Sequence, residues 1–140
     1  MSRITGEITL TPDHGEARTV SVNHHRAYYT AVLDALEISA QKNADYASGD
    51  DPLGNFRSVQ DFGIPPETGL LCRMVDKWSR IRTWFSRGDL AVRDETVTDA
   101  LSDLGNYCFL MIALLEQARS DQELADYIRG LRLDENSLDD

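Results

Sequence analysis

The fold of this chain is decided by residues 99–115, DALSDLGNYCFLMIALL, because they join a polar stripe to a wholly apolar run. Asp99 and Asp103 are four residues apart and Asn106 follows three later, so on a helix the three side chains lie on one side. The run that follows is apolar on all sides, which is typical of a buried helix. Carboxylates beside a core are costly unless something neutralises them. The stretch therefore predicts a core helix whose stripe meets a divalent cation, a cationic partner or a ligand, or else lies on a wet face.

Composition places the chain among ordinary globular proteins. Its 140 residues are 41% hydrophobic and 27% charged, which predicts one domain with one core. A net charge of −10 argues against a nucleic-acid binder of the phosphate-neutralising kind. Cys72 and Cys108 have neither metal nor disulfide-framework spacing, and the polar start is not a secretory signal. With no apolar run long enough to span a bilayer, we expect a cytoplasmic protein without a membrane partner.

The chain divides into three parts by pattern. Residues 1–22 are polar and predict an N-terminal arm or a small hairpin, and residues 23–131 predict a single all-α domain. Residues 132–140 are expected to form a frayed acidic tail. Three long helices with short ones beside them make a thin core. We therefore expect the bundle to be completed by homo-oligomerisation through apolar helix faces.

Helical periodicity sets the expected elements. The first long helix is predicted from Asn23 to about Asn43, followed by a loop over 45–56 and a short helical piece near 56–62. The second long helix is predicted over 67–86 and the third from residues 94–96 to about Arg119, with a short fourth helix over 121–131. Two apolar seams are expected to be buried. They comprise Leu71, Met74, Val75, Trp78, Ile81 and Phe85 on the second helix, and Val97, Leu101, Leu104, Cys108, Met111 and Leu115 on the third.

Polar stripes on the second and third helices are the main candidate site. One stripe contains Arg73, Asp76, Lys77 and Arg80, and the other contains Glu95, Asp99, Asp103 and Asn106. If the helices pack antiparallel, the stripes face each other. One interpretation is an interhelical salt-bridge ladder. The other is a cleft in which carboxylates hold Mg²⁺ while Arg and Lys neutralise phosphate oxygens.

A second candidate group lies around the predicted loop. It comprises Lys42, Asp45, Tyr46, Asn55 and Phe56. The plain interpretation is solvated charges with two aromatic rings that fill the core. The functional alternative is that Tyr46 or Phe56 stacks on a nucleobase while Asn55 reads its edge.

Several of these segments occur in an order that resembles a known family. The segments are KNADY at 42–46, NF at 55–56, GLLCRMVDKWSR at 69–80 and DETVTDALSDLGNY at 94–107. Together they resemble the phage and bacterial nucleotide-modification-associated domain family over roughly residues 25–118. The resemblance implies a role in the metabolism of modified nucleotides.

A more distant similarity is to the MazG-like, all-α nucleoside triphosphate pyrophosphohydrolases. Those enzymes bind Mg²⁺ through an ExxE pair on one helix and an ExxD pair on the next. Asp103 corresponds to the aspartate of ExxD, with Asp99 offset by one position, whereas Arg73 and Asp76 stand where ExxE would be. One acid of the first pair is thus replaced by a cation, and Glu37, Asp45 and Glu95 are the candidates to compensate.

The sequence and the resemblance together suggest a nucleotide-handling protein, with Mg²⁺-dependent pyrophosphohydrolysis as the enzymatic version. In that version Asp76, Asp99 and Asp103 are catalytic, and Asp99, Asp103 and Glu95 bind the metal. Nucleotide-binding residues would be Lys42, Asp45, Tyr46, Asn55, Phe56, Arg73, Lys77, Arg80 and Asn106. The alternative is a non-catalytic helical oligomer that binds a nucleotide or a host protein, with the charged stripes forming interhelical salt bridges.

Overall fold

A computed structural model describes residues 2–46, 51–90 and 96–136, and side chains within these ranges except for Tyr46 and residues 131–136. The chain is mostly helical. Its elements are β1 (Arg3–Leu10), β2 (Arg18–His25), α1 (Arg26–Tyr46), α2 (Gly54–Arg57), a 3₁₀ helix (Ser58–Phe62), α3 (Pro66–Arg87) and α4 (Val97–Asn136). Two compact units divide the chain, residues 1–42 and 43–140, so the boundary falls inside α1.

The first unit contains an antiparallel hairpin, which corrects the expectation of a purely α-helical protein. β1 and β2 pair from Arg3 with His25 to Leu10 with Arg18. Alternating apolar residues in both segments favour strands, and Gly15 has the positive φ of 107° that suits a glycine in the connecting turn. The hairpin interpretation of the N-terminal segment is thus the correct one, and it extends three residues beyond residue 22.

The start of α1 also differs from the predicted N-cap. Asn23 lies in β2, where its side-chain oxygen accepts a hydrogen bond from Arg3 Nε at 2.7 Å. The cap is supplied two residues later, because His25 Nδ1 accepts a hydrogen bond from the backbone N–H of Ala27 at 3.1 Å. At its other end α1 continues to Tyr46, so Asp45 and Tyr46 belong to a helix and not to the predicted loop.

In the second unit, α3 begins and ends at residues with the expected chemistry. Pro66 occupies the first turn, where its missing N–H costs no helical hydrogen bond. Gly88 follows the last turn with φ 81°, and its N–H donates to the Trp84 carbonyl at 2.7 Å. The observed bounds therefore agree with the predicted helix to within one residue at each end.

Helix α4 is continuous, so the prediction of a separate fourth helix after Arg119 was wrong. Neither glycine nor proline interrupts residues 116–126, and the side chains there link successive turns. Arg119 pairs with Glu116 at 2.9 Å and with Glu123 at 2.7 Å, while Gln117 donates to Asp121 at 2.9 Å. Pairs at these spacings stabilise helices. The helix consequently runs for 40 residues.

The core of the second unit lies between α2, α3 and α4. Phe56, Leu70 and Leu114 form its centre, with Met74, Tyr107, Leu110 and Met111 among the partly buried residues around it. Ile81 and Ala100 are buried as well.

The predicted seams of α3 and α4 are only partly confirmed: Met74, Ile81 and Met111 pack in the interior as predicted, whereas other members are exposed. Leu71, Trp78, Leu101 and Leu115 were expected to be buried, and all are about half exposed. The residue that precedes Leu71, Leu101 and Leu115 is the buried one in each case. The buried side of each helix is therefore turned toward the residue that precedes the predicted one, by less than the 100° of one full residue.

None of the helices in the described ranges combines the length and the apolar content needed to cross a bilayer.

Candidate functional site on the paired helices α3 and α4

Helices α3 and α4 pack antiparallel, as the salt-bridge and cleft interpretations both required. Leu70 near the start of α3 packs in one cluster with Leu114, whereas Lys77 in the middle of α3 contacts Asp103, eleven residues earlier on α4. Residue numbers on α4 thus fall as those on α3 rise. The two polar stripes are thereby brought together along one helix pair.

The closest link between the stripes is an ion pair. Lys77 Nζ lies 2.9 Å from an Asp103 carboxylate oxygen, and the two side chains are only 15% and 20% exposed. Such a partly desolvated pair is held more tightly than a surface pair, because water screens it less. Arg80, by contrast, pairs with Asp76 of its own helix at 3.4 Å. The structure therefore has one described link of the salt-bridge ladder between the helices and one within α3.

The remaining polar residues lie on one side of the helix pair. Each of them directly precedes a residue that packs between the helices: Arg73 precedes Met74, Asp76 precedes Lys77, Arg80 precedes Ile81, Asp99 precedes Ala100 and Asn106 precedes Tyr107. Moving one residue back along a helix turns the direction of the side chain by about 100°. Because the two helices run in opposite directions, this turn leads to the same side of the pair on both of them. We call Arg73, Asp76, Arg80, Asp99 and Asn106 the charged face.

Asp99 caps α4. One Asp99 carboxylate oxygen accepts hydrogen bonds from the Thr96 backbone N–H at 2.8 Å and from the Thr96 hydroxyl at 2.7 Å. The Asp99 N–H donates in return to the Thr96 hydroxyl oxygen at 3.2 Å, which completes a capping box. These bonds from Thr96, helped by the nearby charge of Lys77, hold the pKa of Asp99 below its ordinary value. The carboxylate proposed as a metal ligand thus has a structural role.

This cap makes helix stability depend on pH. A carboxyl whose pKa is lowered in the folded state adds stability above its unfolded pKa, and that stability is lost as pH falls through the folded value. We expect Thr96→Ala to cost about 1 kcal/mol of unfolding free energy at neutral pH. The cost should shrink as the pH falls below the ordinary pKa of an aspartate, about 4, and through the lower pKa of folded Asp99. Urea denaturation of both proteins across this range measures it, and a cost that stays constant with pH would contradict the role given to Asp99.

Phe56 and Arg73 form the other notable arrangement. The Arg73 guanidinium carbon lies 5.5 Å from the centroid of the Phe56 ring, within cation–π range. Phe56 is 8% exposed and belongs to the core, so its ring supports Arg73, and a nucleobase would have to displace that cation to stack there. Among the described residues, no carboxylate forms an ion pair with Arg73.

Asn55, which precedes Phe56 in α2, has an unusual side chain. Its Oδ1 atom is buried, and no donor in the described part of the chain reaches it. A buried acceptor without a donor costs about 1–3 kcal/mol. This is the type of atom that a ligand N–H satisfies, so Asn55 remains a candidate.

The other predicted site residues are less informative. Asn106 is half-buried on α4, and Lys42 and Asp45 are exposed on α1. Glu95 and the Tyr46 side chain lie outside the described residues.

In the described residues, the carboxylates expected to bind Mg²⁺ already have partners within the protein. Within those residues, no three His, Cys, Asp or Glu side chains come together to hold a metal. A cation bound at Asp99 and Asp103 would share these carboxylates with Thr96, which holds one oxygen of Asp99, and with Lys77, which pairs with one oxygen of Asp103.

A surface groove of about 450 Å³ was not predicted from the sequence. Its walls come from the segment that begins α3 and from the middle of α4, and include Arg57, Gln60, Glu67, Gln117 and Asp121. The lining combines both charges with Ile64, Pro65 and Leu114, so it selects no one class of ligand. Its residues are brought together only by the docking of α4 on Pro66, for which the sequence has no local signal.

No protein-family model, no curated protein and no solved structure matches this chain.

Proposed function

We propose that this protein binds a nucleotide or nucleotide-like anion on the charged face of α3 and α4. The observation that carries the proposal is Arg73, a guanidinium that is supported by the Phe56 ring and has no carboxylate partner among the described residues. A planar guanidinium held in this way is arranged to donate two parallel hydrogen bonds to a phosphate. The site therefore offers an oriented anion-binding group.

The charge of α3 supports the same proposal. This helix carries five basic and two acidic side chains in a protein whose net charge is −10. Lys77 and Arg80 follow Arg73 at four- and seven-residue spacing. Lys77 faces α4, where it pairs with Asp103, and Arg80 lies on the charged face. A local excess of positive charge attracts anions even when the whole protein is acidic. Asn55 adds a buried acceptor for an N–H of the ligand.

The test compares wild-type protein with Arg73→Ala, Arg73→Lys and the control Arg129→Ala. Thermal unfolding and calorimetry are measured with a panel of nucleoside triphosphates, inorganic phosphate and pyrophosphate. We expect Arg73→Ala to weaken nucleotide binding by about 10–100-fold, because a charge-assisted hydrogen bond is lost. Arg73→Lys should recover little, since lysine lacks the planar fork.

Arg129 is the matched control because it is an exposed arginine on α4 with a carboxylate partner, Asp126 at 3.4 Å. Its replacement should leave nucleotide binding unchanged. Equal losses in Arg73→Ala and Arg129→Ala would mean that binding is a general charge effect. If no nucleotide raises the unfolding temperature of the wild type, the proposal is wrong.

The enzymatic version is tested in the same experiment. Pyrophosphate release that requires Mg²⁺ and disappears in Asp103→Asn would support a pyrophosphohydrolase. Binding without turnover would support the non-catalytic alternative, which the Lys77–Asp103 ion pair favours because it engages the carboxylate that the metal would need.

A further inference from the structure

The junction between β2 and α1 is held by two neighbouring histidines. His24 Nδ1 accepts a hydrogen bond from the backbone N–H of His25 at 2.9 Å, and His25 Nδ1 accepts one from the backbone N–H of Ala27 at 3.1 Å. The second bond satisfies one of the donors that a helix leaves unpaired in its first turn. Two backbone amides therefore depend on imidazole acceptors at the point where the strand becomes a helix.

Only a neutral imidazole can make these bonds. A ring nitrogen that accepts a hydrogen bond carries no proton, whereas a protonated imidazole has an N–H at both nitrogens and is a donor only. The two contacts therefore assign one tautomer to both rings, with the proton on Nε2. When Nδ1 of His25 takes up a proton, its attraction to the Ala27 amide is replaced by two N–H groups that point at each other.

The surroundings of His25 do not offset a positive charge. Arg3 lies opposite His25 in the hairpin, and Arg26 is the first residue of α1. The N-terminus of a helix adds a positive partial charge of its own. The Tyr28 ring stacks on the His24 ring with 4.1 Å between the centroids, and such a stack tolerates a cationic ring as well as a neutral one. The change on proton uptake is therefore concentrated at His25.

We infer that His25 makes the first turn of α1 sensitive to pH, with His24 as the residue that positions it. Histidines in general change charge between about pH 5 and pH 8. Above this range the neutral ring caps α1, and below it the bond to Ala27 is lost and the first turn loosens. The Arg26 N–H donates to the Ser2 carbonyl at 3.0 Å, and that bond has no titrating partner. The device thus loosens the start of the helix while β1 keeps its tie to it, and it does not depend on nucleotide binding.

The test is nuclear magnetic resonance of the full chain labelled with ¹⁵N, at about pH 7.5 and about pH 5.5, where most carboxylates are ionised. At the higher pH the ring nitrogens of His25 should show a proton on Nε2 and none on Nδ1. At the lower pH we expect the protection of the Ala27 amide against hydrogen exchange to fall about fivefold, because the cap is lost. The Arg26 amide is the internal reference, and its protection should change much less.

His25→Asn is the decisive variant, because asparagine is a good N-cap that takes up no proton. We expect it to protect the Ala27 amide equally at both pH values. His25→Ser, a second cap of this kind, should behave in the same way, and circular dichroism shows whether each variant is folded.

His14→Asn is the matched control. His14 is exposed between β1 and β2 and makes no hydrogen bond within the described residues, so this variant should respond to pH like the wild type. A His25 ring with its proton on Nδ1 at the higher pH would overturn the inference. Protection of Ala27 that does not change with pH in the wild type, or that falls equally in folded His25→Asn, would overturn it as well.

Discussion

Leu70→Ala is expected to lower the free energy of unfolding by about 3 kcal/mol, more than any other single substitution predicted for this protein. Leu70 is 1% exposed and lies at the centre of the cluster with Phe56 and Leu114, where α2, α3 and α4 meet. Removing its side chain forfeits the transfer free energy of the lost methyl groups and leaves a cavity between three elements. The free energy of unfolding, from urea denaturation at one fixed protein concentration, measures the loss.

Leu124→Ala is the control for this experiment, because the same chemical change is made on an exposed helical side chain. We expect it to change the free energy of unfolding by less than about 0.5 kcal/mol. If the Leu70→Ala cost were equally small, the three elements would not share a core at this residue, and the packing of α2 against the helix pair would have to be reconsidered.

Breaking the Lys77–Asp103 ion pair is the second large effect. We expect Lys77→Met or Asp103→Leu alone to cost about 2 kcal/mol, because each removes a close ion-pair contact from a charge that is largely shielded from water. The double variant should recover much of that cost, since two apolar side chains can pack where the pair was. A double-mutant cycle by urea denaturation separates the coupling of the pair from the individual losses.

Asp76→Asn provides the comparison within α3. Asp76 is 61% exposed and pairs with Arg80 at helical spacing, so its replacement should cost only about 0.3–0.5 kcal/mol. The cycle also separates the two interpretations of Asp103. A structural pair gives the same coupling with and without Mg²⁺, whereas an Asp103 that binds the metal makes the stability of the wild type rise with added Mg²⁺.

Much of the helical architecture follows from local sequence signals. Pro66 and Gly88 mark the ends of α3, and Thr96 marks the start of α4, all by well-understood backbone chemistry. The antiparallel pairing of the two helices was the condition under which the polar stripes would face each other, and the structure meets that condition. Where local signals conflicted, as at Ser120 and Asp121 in α4, side-chain pairs between successive turns maintained the helix.

The rotation of α3 and α4 was not predictable, for a definite physical reason. Apolar residues occur in adjacent pairs, Leu70 with Leu71 on α3 and Leu114 with Leu115 on α4, so periodicity fits two orientations about 100° apart. Only the partner across the interface decides which member of each pair is buried. The exposed apolar residues of the helix pair were therefore predicted to belong to its buried seam.

The sequence named the residues of the candidate site, but it indicated only one of the contacts that the structure shows among them. Lys77 and Asp103 meet as one interpretation required. Asp99, by contrast, accepts hydrogen bonds from Thr96 three residues away. A capping bond within one turn requires a smaller loss of conformational entropy than a bond across the interface. Arg73 over Phe56 depends on the docking of α2, which no spacing along the chain predicts.

The unequal lengths of the two paired helices have a mechanical consequence. At 1.5 Å per residue, α4 with its 40 residues is about 60 Å long and α3 with its 22 residues about 33 Å. Helix α3 begins at Pro66, which lines the same groove as Leu114 and Ala118, so some 18 residues of α4 continue past Ala118 for about 27 Å. That arm is a lever: a tilt of about 10° where α4 leaves α3 moves its far end by about 5 Å. A small change of angle at the point where α4 leaves α3 thereby produces a much larger displacement at the far end of α4.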